Sequence, residues 1–232
     1  MDRKADAKVF ARSKLARALG KVSGALFAAQ GGWVSGGAGV KDYSQYGEQA
    51  AILAAVSHIQ GGRFLDIGAY HPSDKSNTRA LYECGWSGMM IEPSPGPMRA
   101  LLREYGNDTR ITLIQAAIGA EGFQEMHITD DAVSTTDPSV RAIWAEQGGY
   151  YGKMLAWHVR ITDILDHFGP FDFINIDAEG NSGSIFVAAL AFASPACWCV
   201  EHDGEGDALA AEAGRHGYRV ALLNGCNLVV AK

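Results

Sequence analysis

Apolar residues along this chain follow two rhythms. Short continuous runs bounded by glycine or proline alternate with segments whose apolar positions recur every three or four residues. The spacing predicts a helix over Glu48 to Gln60, then a buried strand over Arg63 to Ala69. Asn77 to Cys84 reads as a helix, Gly88 to Glu92 (GMMIE) as a strand, Pro97 to Tyr105 as a helix and Thr112 to Ile118 as a strand. Farther on, Phe171 to Asp177 (FDFINID) reads as a strand, Ile185 to Phe192 as a helix and Cys197 to Glu201 as a strand. Unbroken apolar strands are buried on both faces. The pattern therefore predicts an α/β fold with a parallel sheet, covered by helices on both sides and joined by right-handed crossovers.

Two stretches break the alternation. After a helix at Asp207 to His216, the runs YRVALLN and CNLVVA flank Asn224-Gly225. Asn-Gly suits a turn with positive φ at both positions, so a hairpin is predicted and the last strand runs antiparallel. Between Thr129 and Val159 no alternation is found, and the stretch holds Trp144, Tyr150, Tyr151 and Trp157 with Gly148, Gly149 and Gly152. It reads as a lid over a substrate or as a surface excursion completing a satellite core.

The amino-terminal part differs again. Leu15, Leu19, Val22 and Leu26 fall on one helical stripe, with Arg12, Lys14, Arg17 and Lys21 elsewhere. Gln30 to Val40 follows as a linker with five glycines. The predicted organisation is thus a basic helix and glycine-rich linker over 1–40 and one domain over 41–232, with a lid-like insertion at about 129–159. The basic helix leaves open packing on the domain, capping of the site, docking on a partner or membrane surface, and homodimer formation.

Composition narrows the function classes. The chain has 232 residues, 47% hydrophobic and 20% charged, which is globular rather than disordered. Net charge is -6, made of a local +5 over residues 1–30 and -11 over the rest, which argues against a nucleic-acid partner. The longest apolar stretch, Ile185 to Val200, is interrupted by Pro195 and too short to span a bilayer. Cys84, Cys197, Cys199 and Cys226 form no C-x-x-C pair, so reduced thiols of a cytoplasmic protein are expected. Cys197 and Cys199, one residue apart, would point the same way from a strand as buried small residues rather than ligands.

In open α/β sheets ligands sit outside the carboxyl ends of the strands. The first strand ends in Asp66-Ile67-Gly68-Ala69-Tyr70-His71-Pro72, a turn with one glycine. A dinucleotide site uses three, so that amides can approach a pyrophosphate. The carboxylate of Asp66 at that turn would repel phosphates and suit a cationic ligand. Glu92, 24 residues after Gly68, stands where a carboxylate can accept hydrogen bonds from ribose hydroxyls. The two acidic ends together ask for a nucleoside with an intact ribose and a positive charge. S-adenosylmethionine matches, with S-adenosylhomocysteine as its product; an N-cap for Asp66 and a surface charge for Glu92 are the plainer readings.

Four segments carry a family likeness: SQYGEQAAIL (Ser44 to Leu53), RFLDIGAYHPSDKSNTRALYECGWSGMMIEPSP (Arg63 to Pro95), QAAIG (Gln115 to Gly119) and FINIDAEG (Phe173 to Gly180). Together they resemble the FkbM-type methyltransferase family. The resemblance implies a class I methyltransferase (Rossmann-like) three-layer sandwich, with a seven-stranded, mostly parallel sheet and an antiparallel C-terminal hairpin. It further implies that Asp66, Gly68 and Ala69 line the methionine portion of the cofactor, with Ile67 and Tyr70 also in the cofactor site. Asn77 and Thr78 would face its carboxylate, Glu92 would hold the ribose beside Pro93 and Ser94, and Gln115 and Ala116 would edge the adenine. Gln45 and Glu48 match the family's S-Q-x-G-E segment and are expected to close over the site. Gln49 stands where the family often has Asp, and His71 where many methyltransferases have glycine.

The fourth and fifth strands end in Asp177-Ala178-Glu179-Gly180 and Glu201-His202-Asp203, the ends that should face the transferred methyl. An alcohol acceptor needs its proton taken by a positioned base. His202 is the first candidate, with Asp177 and Glu179 next as base or orienting groups and Asp177 also against the cofactor. His158 is a further candidate base. Asp177, Glu201, His202 and Asp203 could bind Mg²⁺, but nothing in their spacing demands a metal and none is assigned. The expected activity is methylation of a hydroxyl of a small biosynthetic product, sugar or polyketide-like. A peptide or amide nitrogen is the alternative acceptor. An NAD-dependent oxidoreductase and a non-catalytic nucleoside-binding module are the alternatives of other classes.

Overall fold

The structure, a computed structural model, describes residues 41–129, 134–136, 141, 142, 145 and 152–232. The basic amino-terminal segment, the glycine-rich linker, Trp144, Tyr150 and Tyr151 lie outside the described residues.

Seven strands form the main sheet: β1 (Arg63–Ile67), β2 (Ser87–Ile91), β3 (Ile111–Ile114), β7 (Phe173–Ile176), β8 (Cys197–Glu201), β9 (Arg219–Leu223) and β10 (Asn227–Ala231). Their order is β3-β2-β1-β7-β8-β10-β9, and β10 alone runs against its neighbours. This is the mostly parallel sheet with an antiparallel terminal hairpin that the resemblance implies. Alternate strand residues feed two cores. Leu65, Ile67, Ile174 and Ile176 point into one, against α4 (Ile161–Phe168), α5 (Ser182–Leu190) and α6 (Gly206–Arg215). Phe64, Phe173, Cys197 and Cys199 point into the other, against α1 (Glu48–Ala55), α2 (Arg79–Glu83) and α3 (Pro95–Tyr105). Three layers result because both sheet faces are apolar and each must be covered. The buried Cys197 and Cys199 share a face, as expected.

Three local expectations need correction. The helix from Glu48 stops at Ala55, where Ser57 Oγ donates to the Ala54 carbonyl and competes with continuation. The strand expected over Thr112 to Ile118 is two: β3 ends at Ile114, and β4 (Ala117–Ile118) turns away to pair elsewhere. The hairpin is present, but neither Asn224 nor Gly225 has positive φ. Instead Asn224 Oδ1 accepts from the amides of Cys226 and Asn227 at 2.9 and 2.8 Å, so a side chain closes the turn.

The lid-like insertion is also more regular than its sequence suggests. β5 (Gly122–Ile128) and β6 (Gly152–Val159) pair antiparallel, and β4 pairs with β6, as a second, three-stranded sheet in the order β4-β6-β5. Trp157 belongs to its outward face, exposed and edge-on to Phe123 with ring centroids 5.0 Å apart. No helix among the described residues is long and apolar enough to cross a membrane.

Candidate active site

The carboxyl ends of β1, β2, β7 and β8 open into one cavity of about 600 Å³. At the β1 tip Gly68 has φ of 76°, and a Cβ there would stand 1.7 Å from the Asp177 carbonyl oxygen, so only glycine fits. The amides of this turn are already engaged. Gly68 and Ala69 both donate to the Ile91 carbonyl, at 2.9 and 3.2 Å, and Tyr70 donates to Glu92 Oε2 at 3.0 Å. A pyrophosphate would meet no free amide here, which speaks against a dinucleotide. His71, in place of a glycine, organises the loop: its Nδ1 accepts from the amides of Ser73 and Asp74.

Asp66 ends β1 with both oxygens satisfied. Thr78 Oγ1 donates to Oδ2 at 2.5 Å and Asn175 Nδ2 donates to Oδ1 at 2.8 Å. Burial raises its pKa, and these two bonds oppose the rise. Asn175 Oδ1 in turn accepts from Asn77 Nδ2 at 3.0 Å. That leaves Asn77 Oδ1 buried with no partner among the described residues, an acceptor in the wall of the cavity. Thr78, by contrast, is turned inward to Asp66 and does not line the cavity. Of the pair expected to face the cofactor carboxylate, Asn77 thus brings a side-chain acceptor to the cavity wall, a group suited to an ammonium. Lys75, which sequence reasoning passed over, lines the cavity in a left-handed conformation with its Nζ 5.7 Å from the Tyr70 ring centre. A basic residue in the loop after the first strand was the only signal for it.

Glu92 follows β2 and is buried, with one amide on each oxygen: Tyr70 on Oε2 and Ser94 on Oε1 at 2.7 Å. Desolvation raises its pKa, while the two amides pull it down. Each oxygen retains a lone pair for a further donor. Ile67, Pro93, Ser94 and Ala116 line the same cavity; Gln115 is exposed and does not, because the chain kinks between β3 and β4.

At the other end of the cavity stand the tips of β7 and β8. Asp177, Glu179 and Glu201 each place an oxygen within 4.8 Å of the others. Burial raises the Asp177 pKa to about 6, offset by its hydrogen bond with Glu201 and reinforced by the charges of Asp203, Asp66 and Glu48. Glu201 is raised well above the ordinary carboxylate range by burial and then by Asp177, Glu179 and Asp203. Two half-buried acids this close hold one proton between them. Among the described residues this trio is also the one group of acidic, histidine or cysteine side chains with metal-ligand spacing.

His202 is not placed to act as a base. It lies outside the cavity lining, its Nε2 donates to the Asn224 carbonyl at 3.0 Å, and its Nδ1 accepts from the Gly204 amide at 3.0 Å. One nitrogen serves the hairpin and the other its own loop after β8, and no lone pair is left for a substrate proton. His158, on β6, does line the cavity, and its Nε2 is buried without a partner among the described residues.

The segment before α1 divides its duties. Gln45 reaches the cavity. Glu48 does not; its Oε1 accepts from Asn224 Nδ2 and Asn227 Nδ2 at 2.7 and 2.8 Å, clamping α1 to the hairpin. Gln49 accepts from the Tyr43 amide and donates to the Lys41 carbonyl, a pairing an aspartate could not make. From the insertion, Thr129 and residues 134–136 line the cavity, pinned where Thr135 Oγ1 donates to the Glu179 carbonyl at 2.9 Å.

The sequence profile of the methyltransferase FkbM domain matches residues 66–209 of this chain. No curated protein matches it. Among solved structures it is similar to methyltransferase FkbM from Methylobacillus flagellatus KT, with 18% identity over 75% of this chain and a TM-score of 0.48. The chain spans only 44% of that protein's length. It is also similar to precorrin-6y C5,15-methyltransferase from Geobacter metallireducens GS-15, with 13% identity over 84% of this chain and 93% of that one and a TM-score of 0.46. An SAH-bound Podospora anserina methyltransferase is similar at 14% identity, covering 100% of this chain and 96% of that one, with a TM-score of 0.45.

Proposed function

We propose, from the premise that this chain belongs to the FkbM methyltransferase family, that it methylates a hydroxyl of a small biosynthetic product, of sugar or polyketide-like character, using S-adenosylmethionine. The observation that carries the reading is Glu92. Its carboxylate is fixed by two amides in the wall of a cavity whose neighbouring turn offers nothing to a pyrophosphate. The residues fit the cofactor: Glu92 accepts from the two ribose hydroxyls, Asn77 Oδ1 accepts from the α-ammonium, and Lys75 takes the carboxylate. Gly68, Ala69 and Tyr70 form the floor beneath the methionine portion, Pro93, Ser94 and Ala116 border the base, and Gln45 closes one side.

When bound, S-adenosylmethionine supplies an already activated methyl group on a sulfonium. The protein's task is then alignment and removal of one proton. Asp177 and Glu201, sharing a proton, give a carboxylate whose basicity lies near neutrality; Asp177 accepts the hydroxyl proton and Glu179 orients the acceptor. The base lies at the β7 tip and Glu92 at the β2 tip, on either side of the β1 turn in the wall of one cavity. Residues 41–232 form the catalytic domain in this reading.

Glu92→Ala weakens S-adenosylmethionine binding by at least about tenfold, or about 1.4 kcal/mol. Isothermal titration against the wild type measures it, with NAD as the comparison ligand. Unchanged affinity removes Glu92 from the ribose, and binding of NAD in place of S-adenosylmethionine overturns the reading. Transfer of isotope-labelled methyl to an amine or amide instead of a hydroxyl would move the acceptor class alone.

A further inference from the structure

Among the described residues His158 is the one imidazole in the cavity wall, and its tautomer is fixed by its surroundings. Nδ1 lies 3.1 Å from the Ala156 carbonyl oxygen, which can only accept, so Nδ1 carries the proton. The neutral ring then presents a lone pair at Nε2, and that atom is buried with no partner among the described residues. Buried polar atoms are nearly always bonded, so an orphaned acceptor in a ligand cavity marks a place for a donor. Gly119 makes room for the ring: a Cβ there would come 3.1 Å from His158 Cδ2.

Register decides which donor. His158 sits opposite Ala117 across the β4–β6 pair, directly after the β3 tip and Ala116. Ala116, Ile118 and Met126 supply apolar surface in the wall of the same cavity. The carboxylate trio that faces the reacting methyl is on β7 and β8, not here. A flat ring bordered by Pro93 and Ala116 would carry its edge toward His158.

We propose that His158 reads the purine of the cofactor, accepting a hydrogen bond at Nε2 from the exocyclic amine of adenine. The second sheet is then more than an appendage to the lid: it delivers the group that distinguishes adenine from other bases. The inference rests on the proposed cofactor site. It assigns His158 to donor recognition and removes it from proton transfer.

Binding of S-adenosylhomocysteine and S-inosylhomocysteine, measured by calorimetry, tests this. The inosine analogue replaces the amine with a carbonyl oxygen, so an acceptor would face an acceptor. Wild-type protein is expected to prefer the adenosine compound by at least about tenfold, since a site built around one hydrogen bond rejects the analogue lacking it. In His158→Leu the preference shrinks to about twofold, through weaker adenosine binding. In His158→Gln, whose side-chain carbonyl can still accept, most of the preference survives, which also guards against a leucine variant that fails to fold. A full preference in His158→Leu overturns the inference, as does lost turnover with both affinities unchanged. Failure of wild-type protein to bind either nucleoside would instead overturn the cofactor reading beneath it.

Discussion

The two ends of the cavity treat their acids in opposite ways. At the β1 and β2 tips, Asp66 and Glu92 each receive two hydrogen bonds from the protein, and every oxygen is aimed. At the β7 and β8 tips, Asp177, Glu179 and Glu201 crowd together, and Glu201 Oε2 has no partner among the described residues. The acids of the first end are fixed before any ligand arrives; those of the second press on one another's charge. That difference matches the two tasks of a group-transfer enzyme. A nucleoside is held best by a preorganised frame. A methyl cation equivalent and an acceptor proton need groups whose charge can change.

The sharpest way to break the comparison is to spoil the joint between the two ends. Gly68 belongs to the first end and touches the backbone of Asp177 in the second. Gly68→Ala forces a methyl into a carbonyl oxygen at positive φ, and we expect a loss of about 4 kcal/mol in denaturant unfolding. A loss below about 1 kcal/mol would mean the two tips can slide apart, and the frame would not be preorganised.

Next in size is the effect of pH on the second end. The folded-state pKa of Asp177, about 6, lies above its ordinary 3.8. In the free protein this group's contribution to stability is therefore full below pH 3.8 and is lost as pH rises through about 6. Cofactor binding has the reverse sign, because a sulfonium favours the ionised carboxylate. S-adenosylmethionine should bind more tightly than S-adenosylhomocysteine at pH 7.5, and the ratio should fall by roughly fivefold or more by pH 5. Asp177→Asn should flatten that ratio across the range. A ratio independent of pH in the wild type would show that the carboxyl pair does not sense the sulfonium.

How much of this was legible in the sequence also divides by region. The first end was readable because its chemistry lies in local strings: Asp66-Ile67-Gly68 and Glu92-Pro93-Ser94 end consecutive strands, and strand ends can be located by periodicity. The parallel sheet and the terminal hairpin were legible for the same reason. The partners were not. Asn175 sits in the middle of an apolar strand, and nothing in FINID shows that its amide bridges Asp66 to Asn77. Gln115 and Ala116 looked equivalent, yet a kink sends one to solvent and the other to the cavity. The second sheet escaped notice because its strands alternate, with one wet face, and are separated by residues of no clear period. His202 was misjudged because titratability is a property of a residue type, whereas availability depends on what the folded chain places against it.

That last case supplies the smallest expected effect and the most direct contrast with the acids. His202 bonds the Gly204 amide in its own loop and the Asn224 carbonyl in the hairpin turn that Glu48 also clamps. His202→Ala leaves one buried carbonyl and one amide in want of a partner, partly relieved by water, so about 1–2 kcal/mol of stability should be lost. S-adenosylmethionine affinity should stay within about twofold of wild type, because the ring does not reach the cavity. Turnover at a temperature well below the unfolding midpoint should follow the folded fraction and nothing more. A collapse of turnover with stability and cofactor affinity intact would return the imidazole to proton transfer. It would also make the carboxyl pair a binding element only.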